Sequence, residues 1–240
     1  MGNDYFEFKQ FRITQPQNVF RVGTDGVLLG AWAGSESIGV KRILDVGTGT
    51  GLLALMMAQR FPEASVTAIE PESESFRAAW QNVSDSKWKP RIEVLNLSFN
   101  DYVDTYPGKF DIIITNPPFF KSSLRNPDPV KAGFRHVDTL SFEMITSLSK
   151  KLLDDNGRLC IVLPWAEGNV FIANAVFDGF FCSRMAKVRP LLNSRFNRLL
   201  LEFTGVKCTP VVNILTLGHP SHGGYSVDYR DLTKEFYIYF

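Results

Sequence analysis

The residues best suited to chemistry are Asn116-Pro117-Pro118-Phe119, which follow directly on the apolar run Asp111-Ile112-Ile113-Ile114-Thr115. Two successive prolines fix φ and remove two amide donors. The carbonyls ahead of them, those of Asn116 and Pro117, are left as acceptors, and the Asn116 side chain adds another oxygen. Two such oxygens can take the two hydrogens of one NH2 group. The lone pair of an aromatic or amide NH2 is delocalised and poorly nucleophilic. Acceptors on both hydrogens pull the nitrogen toward a tetrahedral geometry and raise its electron density. Phe119 can stack on a flat ring, a contact worth about 1–3 kcal/mol for a nucleobase. Asn116, Pro117 and Phe119 are therefore the candidate catalytic residues. The chemistry rests on positioning and oriented dipoles, with no strong general base required.

A second chemical signal is Ile43-Leu44-Asp45-Val46-Gly47-Thr48-Gly49-Thr50-Gly51-Leu52, an apolar strand running into three alternating glycines. Glycines there permit a sharp turn and close approach of a ligand. A nicotinamide fingerprint would need a glycine where Leu52 stands. A third signal is Glu70, placed about 20 residues on at the end of the next strand, where a carboxylate can accept both ribose hydroxyls. The loop resembles the D-x-G-x-G-x-G turn of class I methyltransferases. The Asn116 segment resembles the (N/D)-P-P-(Y/F/W) motif of amino-methyltransferases acting on adenine N6, cytosine N4 or glutamine amide. That resemblance implies S-adenosylmethionine as cofactor. Gly47, Gly49 and Gly51 would pack on its methionine part, and Asp45 would orient the loop or face the sulfonium. Glu70 would hold the ribose, and Asn116 would border both ligands. The slot for an acidic adenine contact falls on Ser98, with Asp101 three residues on and Phe99 placed to flank the adenine ring.

The elements that must position these residues are legible from periodicity. Alternating aromatic and polar residues at 5–15 predict a short strand or hairpin. Residues 22–32 predict a glycine-punctuated turn entering a helix, with Thr24 or Asp25 as cap. Strands are expected at 42–46, 65–70, 92–96, 110–115 and 158–163, and helices at 52–60, 73–83, 140–153 and 167–177. Asn156-Gly157 is read as the stop of the helix over 140–153. Further β-rich stretches at 182–188 and 199–204 suggest an antiparallel edge hairpin, and the aromatic tail from 226 to 240 is expected to dock. The alternation implies an α/β, Rossmann-like, doubly wound sheet of seven mostly parallel strands. Residues 1–240 read as one methyltransferase domain, with 1–35 a β/turn extension on the cofactor side.

Composition excludes little else. Of 240 residues, 45% are hydrophobic and 21% charged, and the formal net charge is +1, so bulk charge announces no nucleic acid. Cys160, Cys182 and Cys208, with His136, His219 and His222, make no metal-ligand pattern. The absence of a signal sequence and of a spanning apolar stretch suggests a cytoplasmic protein with no membrane partner. Nothing demands more than a monomer.

The opening block, Phe6-Glu7-Phe8-Lys9-Gln10-Phe11 and Arg21 through Trp32, resembles the bacterial tRNA1(Val) adenine N6-methyltransferase family. The likeness continues through Leu52–Met56, Glu70-Pro71-Glu72, Val162-Leu163-Pro164 and Tyr229–Tyr237. It implies a tRNA partner, methylation of the adenosine 3′ of the anticodon, and a cofactor contact from Gly23, Thr24, Asp25 and Gly26. Cations placed to meet RNA phosphates are Lys9, Arg12 and Arg21, and Lys121, Arg125, Lys131 and Arg135 in the loop after Phe119. Arg195 and Arg198 are weaker candidates. Two rivals stay open on the residues alone. One is a glutamine N5-methyltransferase of release-factor type, which usually carries Tyr where Phe119 stands. The other is a non-catalytic RNA-binding module, for which Ser98 is the supporting departure.

Overall fold

The computed structural model describes residues 4–106, 108–118, 140–218 and 224–240. Strands β1 (Tyr5–Glu7) and β2 (Arg12–Thr14) form a separate antiparallel hairpin. Helix α1 (Thr24–Trp32) follows. The main unit then alternates β3 (Arg42–Val46), α2 (Leu52–Arg60), β4 (Ser65–Ile69), α3 (Ser73–Ser84), β5 (Ile92–Leu95), α4 (Phe99–Thr105) and β6 (Phe110–Thr115). Next come α5 (Phe142–Leu152), β7 (Leu153–Pro164), α6 (Trp165–Ala175), β8 (Phe181–Arg189), β9 (Arg198–Thr204), β10 (Val211–Thr216) and α7 (Val227–Thr233).

The sheet has eight strands in the order β10-β8-β9-β7-β6-β3-β4-β5. Every neighbouring pair is parallel except β7–β9 and β8–β9. The chain runs outward from β3 through β4 to β5, then returns to lay β6 on the other side of β3. That reversal opens a crevice at the carboxyl ends of β3 and β6, the usual ligand position in such sheets.

Alternation along the central strands builds a core on each face. Ile43, Ile112, Ile114 and Val162 join α1, α2 and α7 on one side. Leu44, Ile113, Leu159 and Ile161 join α4, α5 and α6 on the other. Such near-continuous apolar strands are what a sheet covered on both faces requires. Helix α2 is buried from Leu52 to Ala58, because α1 covers the side that would otherwise meet solvent. Two glycines let those helices approach. A Cβ on Gly26 would lie 2.9 Å from Leu52 Cδ2, and one on Gly30 would lie 2.6 Å from Met56 Sδ.

Several boundaries differ from the sequence reading. An eighth strand, β10, extends the expected seven by pairing parallel to β8. Its Val211–Asn213 stretch is exposed, so no buried face marks it in the sequence. Helices α4 and α7 are seven residues each, too short to show a helical period. Helix α5 ends at Leu152, and Asn156-Gly157 lies inside β7 at a register shift against β6 rather than stopping the helix. Helix α1 is entered through Gly23, and no side chain caps it, since Thr24 and Asp25 already lie in its first turn. No described helix is long and apolar enough to cross a membrane.

Candidate active site

The site is assembled from three adjacent strand ends. Val46 of β3 pairs with Ile69 of β4 and with Thr115 of β6. Gly47, Glu70 and Asn116 each follow one residue later, so they emerge side by side. The Thr115 hydroxyl donates to the Val46 carbonyl across 2.9 Å and ties the β6 exit to the glycine turn.

The turn has the left-handed geometry its glycines allow. Gly47, Gly49 and Gly51 have φ of 69°, 59° and 83°. Among the described residues, a Cβ built on Gly47 or Gly49 would meet no neighbour within 4 Å, which leaves room for a ligand above both. The Gly47 and Thr48 amides donate to the Ile69 carbonyl at 2.9 and 3.1 Å. The loop is thus fixed to β4 as well as β3.

Glu70 is buried and accepts from the Gly49 amide at 2.9 Å and the Glu72 amide at 3.1 Å. Burial pushes its carboxyl pKa up, and these two amides oppose the rise. Each carboxylate oxygen has a further lone pair for a hydroxyl. The Asn96 side chain, not anticipated from sequence, donates to the Glu70 and Pro71 carbonyls at 2.8 and 3.1 Å.

Asp45 lies wholly buried beneath the turn. Its Oδ2 accepts from the Thr48 hydroxyl at 2.5 Å, while Oδ1 has no hydrogen-bond partner among the described residues. Desolvation lifts its pKa to about 7, against the lowering effects of Thr48 and the Ala54 amide. A buried acceptor without a partner is costly. It fits a site completed by a cationic or hydrogen-bond-donating ligand.

Ser98 caps α4. Its hydroxyl accepts from the Asp101 amide at 3.2 Å and donates to Asp101 Oδ2 at 2.7 Å. Helix α4 therefore folds Asp101 back beside Ser98, so distance along the chain does not separate them. The Ser-x-x-Asp spacing is a capping signal that the sequence does contain. Phe99 is 4% exposed and belongs to the core cluster with Leu44, Val46, Ile69 and Tyr102. It lies in the packing beneath this edge.

From the opposite face, the first turn of α1 reaches the same crevice. A Cβ on Gly26 would lie 3.7 Å from Asn116 Nδ2. The Asn116 amide nitrogen thus lies beside the first turn of α1. Pro117 is buried and Pro118 exposed. Asp25 receives Arg198 Nε on its Oδ2 at 2.8 Å, which links the head of α1 to β9. Phe119, Lys121, Arg125, Lys131, Arg135 and His136 lie outside the described residues.

Two of the N-terminal cations, Lys9 and Arg12, have partners within the chain, and Arg21 is exposed. Lys9 Nζ donates to the Lys234 and Phe240 carbonyls at 2.6 and 2.8 Å. That C-terminal segment is itself held by Gln59, near the far end of α2 from the glycine turn. Arg12 pairs with Glu7 at 2.5 Å and lies 4.4 Å from the Tyr5 ring centroid. Among the described residues, no group of three or more His, Cys, Asp or Glu side chains is placed to hold a metal.

Comparison with known proteins agrees with this geometry. Residues 35–180 match the family model of the methyltransferase small domain. A protein of Trichodesmium erythraeum named tRNA1(Val) (adenine(37)-N6)-methyltransferase is 37% identical over 240 residues, covering 99% of both chains. One of the same name from Parabacteroides distasonis is 40% identical over 239 residues, again 99% of both. A third, from Vibrio campbellii, is 41% identical over 97% of this chain and 95% of that one. Among solved structures, a predicted O-methyltransferase of Agrobacterium tumefaciens superposes with a TM-score of 0.71 at 20% identity, over 88% of this chain and 96% of that one. A ribosomal protein L11 methylase of Lactobacillus delbrueckii gives 0.51 at 20% identity, over 75% and 76%. These two structures speak to the fold.

Proposed function

The chain belongs to the tRNA1(Val) (adenine(37)-N6)-methyltransferase family, and we propose that it methylates N6 of adenosine 37, beside the anticodon of tRNA1(Val). The observation that carries this reading is the convergence of Gly47, Glu70 and Asn116 at neighbouring strand ends, with Gly26 of α1 closing on Asn116.

S-adenosylmethionine is the methyl donor of this fold and family, and when bound it supplies an electrophilic methyl on a sulfonium. The open space over Gly47 and Gly49 and the orphan Asp45 oxygen fit such a ligand. Gly47 and Gly49 would hold its amino-acid part, with Gly51 completing the turn against Ala79, and Glu70 would take the ribose hydroxyls. Ser98, with Asp101 drawn beside it, borders the adenine, and Phe99 supports that wall from below. The uncapped first turn of α1, from Gly23 through Thr24 and Asp25 to Gly26, offers backbone amides to a carboxylate. Asp45 faces the cationic side of the ligand. Asn116 Oδ1 and the Pro117 carbonyl hold the two hydrogens of the target amine and raise its nucleophilicity. Phe119 stacks on the base.

Adenine N6 is buried in a duplex, but in an anticodon loop the base is reached with little unpairing. The enzyme works as a monomer in the cytoplasm, where its tRNA is found. The test is to incubate the protein with labelled S-adenosylmethionine and total tRNA from a strain lacking the gene. Label should map to N6 of the adenosine 3′ of the anticodon. Label in release-factor protein, or none in tRNA, overturns the reading.

A further inference from the structure

The substrate edge of the sheet continues past Asn116 onto strands that take no part in cofactor binding. Pro164, at the end of β7, pairs with Arg198 at the start of β9, and Arg198 pairs with Val188 near the end of β8. Parallel pairing of β6 with β7 places all three at the Asn116 edge. At about 4.8 Å per strand, β9 and β8 lie roughly 10–15 Å from β6.

The loop joining β8 to β9, residues 190–197, is clamped onto this edge. The Trp165 amide donates to the Asn197 carbonyl at 3.1 Å, and the Asn197 amide to the Val188 carbonyl at 2.9 Å. The Trp165 and Phe196 rings stack with centroids 5.2 Å apart and planes 21° apart. Each ring carries a cation: Lys187 Nζ lies 6.0 Å from the Trp165 centroid, and Arg189 Cζ lies 5.7 Å from that of Phe196. Arg189 Nε also donates to the Thr216 hydroxyl at 2.9 Å. Arg195 is exposed beside them, and Arg198 leans back on Asp25 at the head of α1. Asp25 already pairs with Arg198, and Glu167 lies in the first turn of α6. Lys187, Arg189, Arg195 and Arg198 thus gather four cations at one edge of a chain whose formal net charge is only +1.

Cations held over rings by a clamped loop give up less conformational freedom on meeting an anion than flexible surface lysines do. We propose that Lys187, Arg189 and Arg195 form an RNA-backbone contact surface, so that the substrate strand crosses from Asn116 toward the β8–β9 end of the sheet. This rests on the tRNA-methylating function proposed above. It adds a second set of cations to Lys9 and Arg12, which also have partners within the chain.

Binding of an in-vitro-transcribed, unmodified tRNA1(Val) tests the proposal. Fluorescence anisotropy between about 50 and 200 mM salt is measured for the wild-type chain and for Lys187→Ala, Arg195→Ala and Arg195→Glu. Each alanine variant should lower the magnitude of the salt slope by about 0.7–0.9 for each phosphate it no longer neutralises. The KM for tRNA should rise, with S-adenosylmethionine affinity and melting temperature unchanged. Arg195→Glu should weaken binding further. Lys41→Ala, at the amino end of β3, should leave the slope as it is. Wild-type slopes in all variants, beside a wild-type protein that methylates the transcript, overturn the surface while sparing the function. A wild-type protein that neither binds nor methylates the transcript removes the function and the surface together.

Discussion

The Gly49 amide donates to Glu70 Oε2 across 2.9 Å, joining the tip of the glycine turn to the carboxylate at the end of the neighbouring strand. In the proposed cofactor site, one residue would thus shape the methionine subsite and orient the ribose acceptor. Glu70→Gln replaces one acceptor oxygen with an NH2 that faces the Gly49 or Glu72 amide, donor against donor. Hydrogen bonds to charged groups contribute about 1.5–3 kcal/mol, so S-adenosylmethionine affinity by calorimetry should fall about 10-fold or more. Unchanged affinity would remove Glu70 from the cofactor site.

Asn116→Ala deletes an acceptor of the target amine without touching the glycine turn. Loss of one preorganised group of this kind lowers turnover by about 100–1000-fold. Cofactor affinity should stay near the wild-type value. Equal losses in turnover and cofactor affinity would place Asn116 on the cofactor alone.

The two close approaches between α1 and α2 separate function from packing. Gly26→Ala drives a methyl to within 2.9 Å of Leu52 Cδ2 and 3.7 Å of Asn116 Nδ2, whereas Gly30→Ala meets Met56 Sδ at 2.6 Å, away from the site. Overpacking of this kind costs about 1–3 kcal/mol. Both variants should melt earlier, but only Gly26→Ala should lower kcat beyond its effect on stability. A matching kcat loss in Gly30→Ala would show that α1 acts as a rigid whole.

Asp45 makes the site pH-sensitive. Burial raises its pKa from 3.8 to about 7, so the folded protein keeps a proton that the unfolded chain has already released between those values. Its effect on stability is therefore neutral below about pH 4 and grows unfavourable as pH rises toward 7. A cationic ligand at Asp45 favours the ionised form, so S-adenosylmethionine should bind more tightly as pH rises through 7. Calorimetry across that range should show this trend in the wild type and a flat profile in Asp45→Asn. A flat wild-type profile would remove Asp45 from contact with the ligand's charge.

A buried charge cluster holds the other end of α1. Glu202 faces Arg184 at 3.8 Å and Arg158 at 3.7 Å, and it accepts from the Gly34 amide at 3.2 Å. Arg184 in turn donates to the Trp32 carbonyl at 2.5 Å and to the Ser35 hydroxyl, and its Nε has no hydrogen-bond partner among the described residues. Glu202→Gln would leave the buried Arg184 with only the exposed Glu36 carboxylate, 4.0 Å away, as counter-charge, and breaking a buried pair costs about 3–5 kcal/mol. The melting temperature should fall sharply. A shift of only a degree or two would mean that Arg184 finds its balance in the carbonyls of α1.

Local pattern carries much of this molecule. The bounds of β3, α2 and β6 follow directly from apolar runs between glycine, charge and proline, because buried parallel strands and a covered helix must be apolar throughout. The Asp45–Gly51 turn and Asn116-Pro117-Pro118 declare themselves by residue type, since few residues other than glycine tolerate φ near 60° and two prolines in succession leave little backbone freedom. What only the tertiary structure decided is which of these meet. The return of β6 to the side of β3 brings Asn116 next to Gly47. The capping turn of α4 draws Asp101 back to Ser98. Strand β10 acquires its place only by pairing with β8. Lys9 and Arg12 are candidate RNA ligands by sequence, and the folded chain gives them carbonyls and a carboxylate as partners while both stay exposed. Lys187 and Arg189 belong to no motif, and the stack of Trp165 on Phe196 brings them onto the substrate edge. Hydrophobic periodicity reports which face of an element is buried, but it carries no information about the long-range pairing and charge partners that decide what an exposed cation is left to do.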